Sequence, residues 1–285
     1  METVDVDAYL SKRNIKTMAS KNPVLVNSFG QDGVPFLWKF FDRYDMEKTL
    51  RLIKKPYPIE ALGYVDKEGN NLILHLILHM RATGPAGQIF VLCSTLDSLL
   101  PYLPAGFANK KGYTLLHLLC RFSNQAAQFK VEKTILQILD REDANVRQLD
   151  SDKKNSALLT FCRNWKKASP AKSQIIKKFL SHRDCPTNIP NKQMDVPLNW
   201  LLTNGDEENA LCLLKAGACP AYINTNQTTP LILACAYKLP AAACLILDLG
   251  GIPQQRDLNK KTALDYAKGN KMEAVLEKLG EPQAI

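Results

Sequence analysis

The chain has 285 residues, 46% of them hydrophobic and 23% charged, an ordinary balance for a folded protein. No window reaches ~18 uninterrupted apolar residues, so no membrane span is encoded, and the METVDVDAYLSKRN start lacks the basic and apolar regions of a secretory signal. The net charge of +9 favours an acidic protein, a nucleic acid or an anionic membrane surface as partner, while eight cysteines are too dilute for a disulfide scaffold and read as reduced thiols. A cytoplasmic location is expected.

Residues 1–26 match no later segment. DVDAYLSKRNIKTMA predicts a short capping helix with Asp5 as N-cap, so this stretch is expected to be an N-terminal cap or arm. From residue 27 one pattern recurs. GQDGVPFLWKFF (30–41) is a degenerate first unit, with Gly33 and Leu37. DKEGNNLILHLI (66–77) keeps Asp66 and Gly69 and puts Ile73 in the place of that leucine. GYTLLHLLC (112–120) has Thr114, Leu116 and His117, and DKKNSALLTFC (152–162) holds the frame around Leu158. MDVPLNWLLTN (194–204), QTTPLILACAY (227–237) and KKTALDYAKGN (260–270) align without gaps on Leu198, Leu231 and Leu264, two steps of 33. Cys185-Pro186, Cys219-Pro220 and Ile252-Pro253 form a second column in the same frame. Gly217, Gly250 and Gly280 stand where helices should end in a left-handed turn.

A ~33-residue period with a T-P-L-H-x-A core resembles the ankyrin-repeat family. Thr229, Pro230, Leu231 and Ala234 fit that core, with Ile232 at the histidine position. The resemblance covers about residues 27–280 and implies an all-α solenoid of six to seven helix-turn-helix units with β-turn fingers, followed by a short tail at 281–285. It also implies a capping hydroxyl and a first-turn proline on the inner helix of each unit. In such proteins the finger tips and the adjoining inner-helix surface form a concave partner-binding face.

The chain departs from the family in two ways. The usual small residue three positions after the signature leucine is Leu76, Leu119, Phe161 or Leu201 in the middle units, which predicts irregular curvature. The steps from Ile73 to Leu116, Leu158 and Leu198 are 43, 42 and 40, so extra residues fall at 80–88, 121–129 and 163–174. They are expected to extend helices or form loops at the end opposite the fingers.

Candidate chemistry is sparse. Cys120, Cys162 and Cys235 occupy a small-residue position of the repeat, so packing accounts for them. His75 and His79 have the i, i+4 spacing of two ligands on one helix, but no third ligand is recognisable, and no metal or cofactor is expected. No phosphate-binding loop or Ser/His/Asp constellation is present in the sequence.

The fingers carry more information. The frame places Lys67 and Glu68, Lys110 and Lys111, Asp152, Lys153 and Lys154, Lys192 and Gln193, and Asn226 at or beside successive tips. Further along the same face it places Arg43, His79, Arg121, Phe122, Arg163, Asn164, Thr203, Asn204 and Tyr237. Trp165, beside Lys166 and Lys167, is the expected exposed aromatic anchor; covering an extended helix pair is its alternative role. A lysine row with arginines and aromatics fits a monomeric, non-catalytic module that holds an acidic protein. The divergent repeats resemble ankyrin proteins that intracellular bacteria deliver into host cells, which would place it in a host cytoplasm. A thiol enzyme with its site in 80–185 is the second reading. Nucleic-acid or anionic-lipid binding is the third, weaker for nucleic acid because no base-stacking module is recognisable.

Overall fold

The computed structural model describes residues 5–10, 23–43, 63–79, 92–94, 96–97, 99–122 and 128–280. The extension at 80–88, most of that at 121–129 and the tail at 281–285 lie outside them. Among the described residues the regular elements are all helical, and extended backbone occurs only as isolated bridges. No helix among the described residues is long and apolar enough to cross a membrane. The chain divides into two compact units, Met1–Asn145 and Val146–Ile285.

The first unit holds α1 (Val6–Leu10), α2 (Pro23–Val26), α3 (Phe36–Arg43), α4 (Leu72–His79), a 3-10 turn (Leu100–Tyr102), α5 (Leu115–Leu119) and α6 (Gln128–Leu139). Asp5 caps α1 as expected, its Oδ1 accepting from the Ala8 N–H at 2.9 Å. Val6 and Leu10, one turn apart, are both buried. α2 packs on α3, α4 on α5 and α5 on α6. Thr114 caps α5 in a reciprocal box with His117.

The second unit is more regular. Its helices are α7 (Ala157–Asn164), α8 (Pro170–Leu180), α9 (Pro197–Thr203), α10 (Glu207–Lys215), α11 (Pro230–Ala236), α12 (Pro240–Asp248), α13 (Ala263–Gly269) and α14 (Glu273–Lys278). The odd-numbered helices pack in one row, α7 on α9, α9 on α11 and α11 on α13. The even-numbered ones form a second row, α8 on α10, α10 on α12 and α12 on α14. The sequence sets the boundaries. Ser156, Thr229 and Thr262 accept the N-terminal N–H bonds of the odd helices. Val196 offers no side-chain cap to α9, where Pro197 takes the first helical position instead. Gly217 and Gly250 leave α10 and α12 with φ of 88° and 90°.

The leucine column explains the burial. Leu37, Ile73, Leu116, Leu158, Leu198 and Leu231 are buried in their units, and Leu76, Leu119, Phe161 and Leu201 are fully enclosed beside them. Leu264, in the last odd helix, is only half-buried because no further repeat covers it.

A finger precedes each odd-type helix, and all of them close alike. The chain returns on itself through Gly30 N–H to Val34 O, Asp66 to Asn70 and Asn109 to Tyr113 in the first unit. In the second the pairs are Asp150 to Asn155, Asn191 to Asp195, Asn224 to Thr228 and Asp257 to Lys261. Each finger has one left-handed residue: Gly33, Gly69 and Gly112, then Lys154, Met194, Gln227 and Lys260. Neighbouring fingers within a unit are joined twice. A backbone bond links the tips (Lys110 N to Glu68 O at 3.1 Å, Lys192 N to Lys153 O at 2.8 Å, Thr225 N to Gln193 O at 3.2 Å). A buried or half-buried side-chain amide links their bases: Asn109 to Asn70, Asn191 to Asn155 and Asn224 to Asp195.

Candidate interaction surface

The fingers set out the tip residues that the sequence singles out. Lys67, Glu68, Lys110, Lys111, Asp152, Lys153, Lys154, Lys192, Gln193 and Asn226 are all exposed. They are not equally available. The Lys110 ammonium donates to the Lys67 carbonyl at 2.8 Å, so it ties two fingers together. Lys153, Lys154 and Lys192 form no ion pair among the described residues.

The helix-end residues divide into three groups. Arg43 and His79 close α3 and α4, but their side chains lie outside the described residues. Thr203 and Asn204 turn inward: Thr203 Oγ1 donates to Asn199 O at 2.8 Å, and Asn204 Nδ2 donates to Cys162 O at 2.9 Å, fastening the end of α9 to the end of α7. Asn270 repeats this one unit on, donating to Cys235 O at 2.8 Å. The third group faces outward. Arg121 is exposed, 6.0 Å from the Tyr113 ring centroid, with Phe122 half-buried beside it. Arg163 and Asn164 are half-buried, and Tyr237 is 46% exposed.

Arg163 lies over the indole of Trp200, with Cζ 5.0 Å from the ring centroid. No hydrogen-bond acceptor engages its guanidinium among the described residues. A cation above an aromatic face is attracted by the ring quadrupole and loses little hydration. The pair therefore fixes the side chain while leaving its N–H edges open. The sequence marks Arg163 but gives no sign of the partnership with Trp200, which arises because α7 and α9 pack side by side.

Trp165 is corrected. It is 2% exposed, its ring 4.7 Å from Phe161, which in turn lies 6.2 Å from Phe179. The connection from α7 to α8, residues 165–169, holds the extra chain, and Trp165 fills the space it opens. It covers the helix pair and is not an exposed anchor.

The structure adds one feature that the sequence reading missed. Lys172, on α8, is fully buried, its ammonium 2.5 Å from Asp206 Oδ2. The contact is a close ion pair without directional hydrogen-bond geometry. Asp206 also caps α10 and accepts from Asn209 Nδ2 at 3.0 Å on each carboxylate oxygen.

The thiols are enclosed. Burial pushes Cys162, Cys185 and Cys235 up to about 12 and Cys93 to about 11, so they are thiols and not thiolates at neutral pH. His75 is engaged with Asp66, Nδ1 to Oδ2 at 3.2 Å, and its ring lies 4.3 Å from Trp38. Among the described residues, no His, Cys, Asp and Glu side chains group as a metal site would need.

A scan against protein-family models finds no match to this chain, and a search of curated proteins finds none either.

Proposed function

We propose that the chain is built of ankyrin-type repeats and acts by binding, holding an acidic protein against the basic finger face of its second unit. The repeated finger closure, the capped odd helices and the 33-residue steps of the last repeats support the repeat reading. One observation carries the binding reading. The fingers around residues 153 and 192 hold exposed lysines, free of ion pairs among the described residues, on a backbone fixed by the Lys192–Lys153 bond. Residues 147–192 contain eleven Lys and Arg against three Asp and Glu, so the positive charge of the chain is concentrated here. Such a field speeds encounter with an acidic surface and makes it salt-sensitive, while a few desolvated anchors hold the complex.

The high thiol pKa values favour binding over thiol catalysis, since an unactivated thiol is a poor nucleophile at neutral pH. A role for the protein in a host cytoplasm belongs to the same proposal and rests on the irregular repeats alone.

The test is capture of an acidic partner by the full chain and by the triple charge reversal K153E/K154E/K192E. Lys110 is excluded because its ammonium is structural. The reversal is expected to abolish capture and flatten its dependence on salt. Undiminished capture would move the binding face elsewhere.

A further inference from the structure

We infer that Arg163, laid on the indole of Trp200, is a preformed seat for a carboxylate in an extended acidic peptide segment that also crosses the Lys153–Lys154 finger. This rests on the binding reading above and specifies its ligand.

Three features of the site support it. The first is vacancy of function: most arginines this close to a helix end are drawn to its free carbonyls. Here Asn204 Nδ2 already occupies Cys162 O, and no acceptor among the described residues takes the Arg163 N–H groups. The second is preorganisation. Stacking on Trp200 at 5.0 Å restricts the long side chain before a ligand arrives. The ordering entropy that an arginine ordinarily loses on binding is thereby reduced. A stacked guanidinium presents its N–H pairs in the ring plane, the geometry that grips both oxygens of a carboxylate.

The third is charge. Lys153, Lys154, Lys166, Lys167 and Lys192 are exposed around the same repeat and form no ion pair among the described residues. Trp200 itself argues against a nucleic-acid ligand. Its upper face is covered by Arg163 and its Nε1 is buried, so the ring that would stack a base serves as a support instead.

The geometry also sets a register. α7 has eight residues, so the path from the finger at its start to Arg163 near its end is about 12 Å. An extended peptide covers that in about four residues at ~3.3 Å each. Alternate side chains share one face, so acidic residues at i and i+4 would reach the finger lysines and Arg163 together.

The experiment measures anisotropy of a fluorescently labelled Glu–Ala alternating peptide on the full chain. R163K keeps the charge but loses the fork and the stack. It is expected to weaken binding about tenfold with little change in salt dependence. W200L should do the same and W200F should restore most of the affinity, while thermal melts check folding. If R163K binds like wild type whereas K153E/K154E/K192E loses the peptide, the seat is wrong and the finger reading stands. If neither variant loses affinity, or wild type does not prefer this peptide to a neutral one, both fail. Tighter binding of a charge-matched phosphopeptide or single-stranded oligonucleotide would overturn the assignment to carboxylates.

Discussion

The fingers of the two units make the same turn with different residues. In the first unit the left-handed position is Gly33, Gly69 or Gly112, with φ between 73° and 76°. In the second it is Lys154, Met194, Gln227 or Lys260, with φ between 56° and 61°. Glycine occupies that region freely, whereas a residue with a Cβ pays roughly 1–2 kcal/mol. Charge follows the same division. Among the described residues, the fully enclosed charged side chains, Asp150, Lys172, Asp206 and Asp257, all belong to the second unit. The buried polar groups of the first are Ser, Thr, Asn and His. The second unit is the more regular in outline, yet it tolerates more local strain and more buried charge. Strain that persists in a well-packed scaffold points to selection for the side chain and not for the turn.

The largest expected effect tests the buried pair. Lys172→Met leaves Asp206 without its cation and should lower the stability of the second unit by about 3–5 kcal/mol. Urea unfolding followed by tryptophan emission, which Trp165 in that core reports, would measure it. Lys172→Met combined with Asp206→Asn should recover most of the loss, because no charge is then stranded. A double variant as unstable as the sum of the singles would show that the pair is not the linkage between α8 and α10.

The turn residues give smaller effects of opposite sign. Gly69→Ala should destabilise the first unit by about 1–2 kcal/mol, since the position is left-handed. The new Cβ would also lie 3.0 Å from Lys110 Cγ and 3.1 Å from its backbone N. Lys154→Gly should instead stabilise the second unit by about 0.5 kcal/mol, relief of the left-handed strain slightly exceeding the flexibility of glycine. Equal signs for the two changes, measured by denaturant midpoint, would erase the contrast between the units. If Lys154→Gly stabilises and also weakens peptide binding, function and strain are traded at one residue.

The smallest effect is on pH. Burial alone would raise the Asp257 carboxyl. Hydrogen bonds from Tyr266 and from the N–H groups of Lys261 and Asn259 outweigh it and hold the group below its ordinary 3.8. A lowered carboxyl supplies stability above that value and loses it as pH falls through the folded value. Tyr266→Phe should therefore shift the acid transition of the last repeats to higher pH, read by circular dichroism. An unshifted transition would remove Asp257 from the account.

Much of the helical frame was legible because it repeats. The leucine column, the Thr229 cap and the glycines that end α10 and α12 each stand at fixed spacing, and the structure places them accordingly. The finger tips were legible as exposed positions for the same reason. Trp165 was not, because a tryptophan beside two lysines looks like surface until the length of the α7–α8 connection is known. Lys172 was missed because only the odd helices were aligned. The third residue of each even helix is Lys172, Asn209, Ala242 and Val275, and all four are fully buried. Aligned on that column, a lysine followed one repeat later by an asparagine predicts an internal polar contact. The Arg163–Trp200 stack joins residues of two repeats, and no spacing within one repeat encodes it.

The bonds between neighbouring tips run from backbone to backbone, so they are indifferent to what the side chains are. The acceptor position is Glu68 in one finger, Lys153 in another and Gln193 in a third, and each makes the same bond. The scaffold thus behaves like a rack with fixed slots, in which one reading head can be exchanged without retuning its neighbours. A lineage carrying such a rack can change what it recognises one letter at a time while the spacing of the letters stays the same.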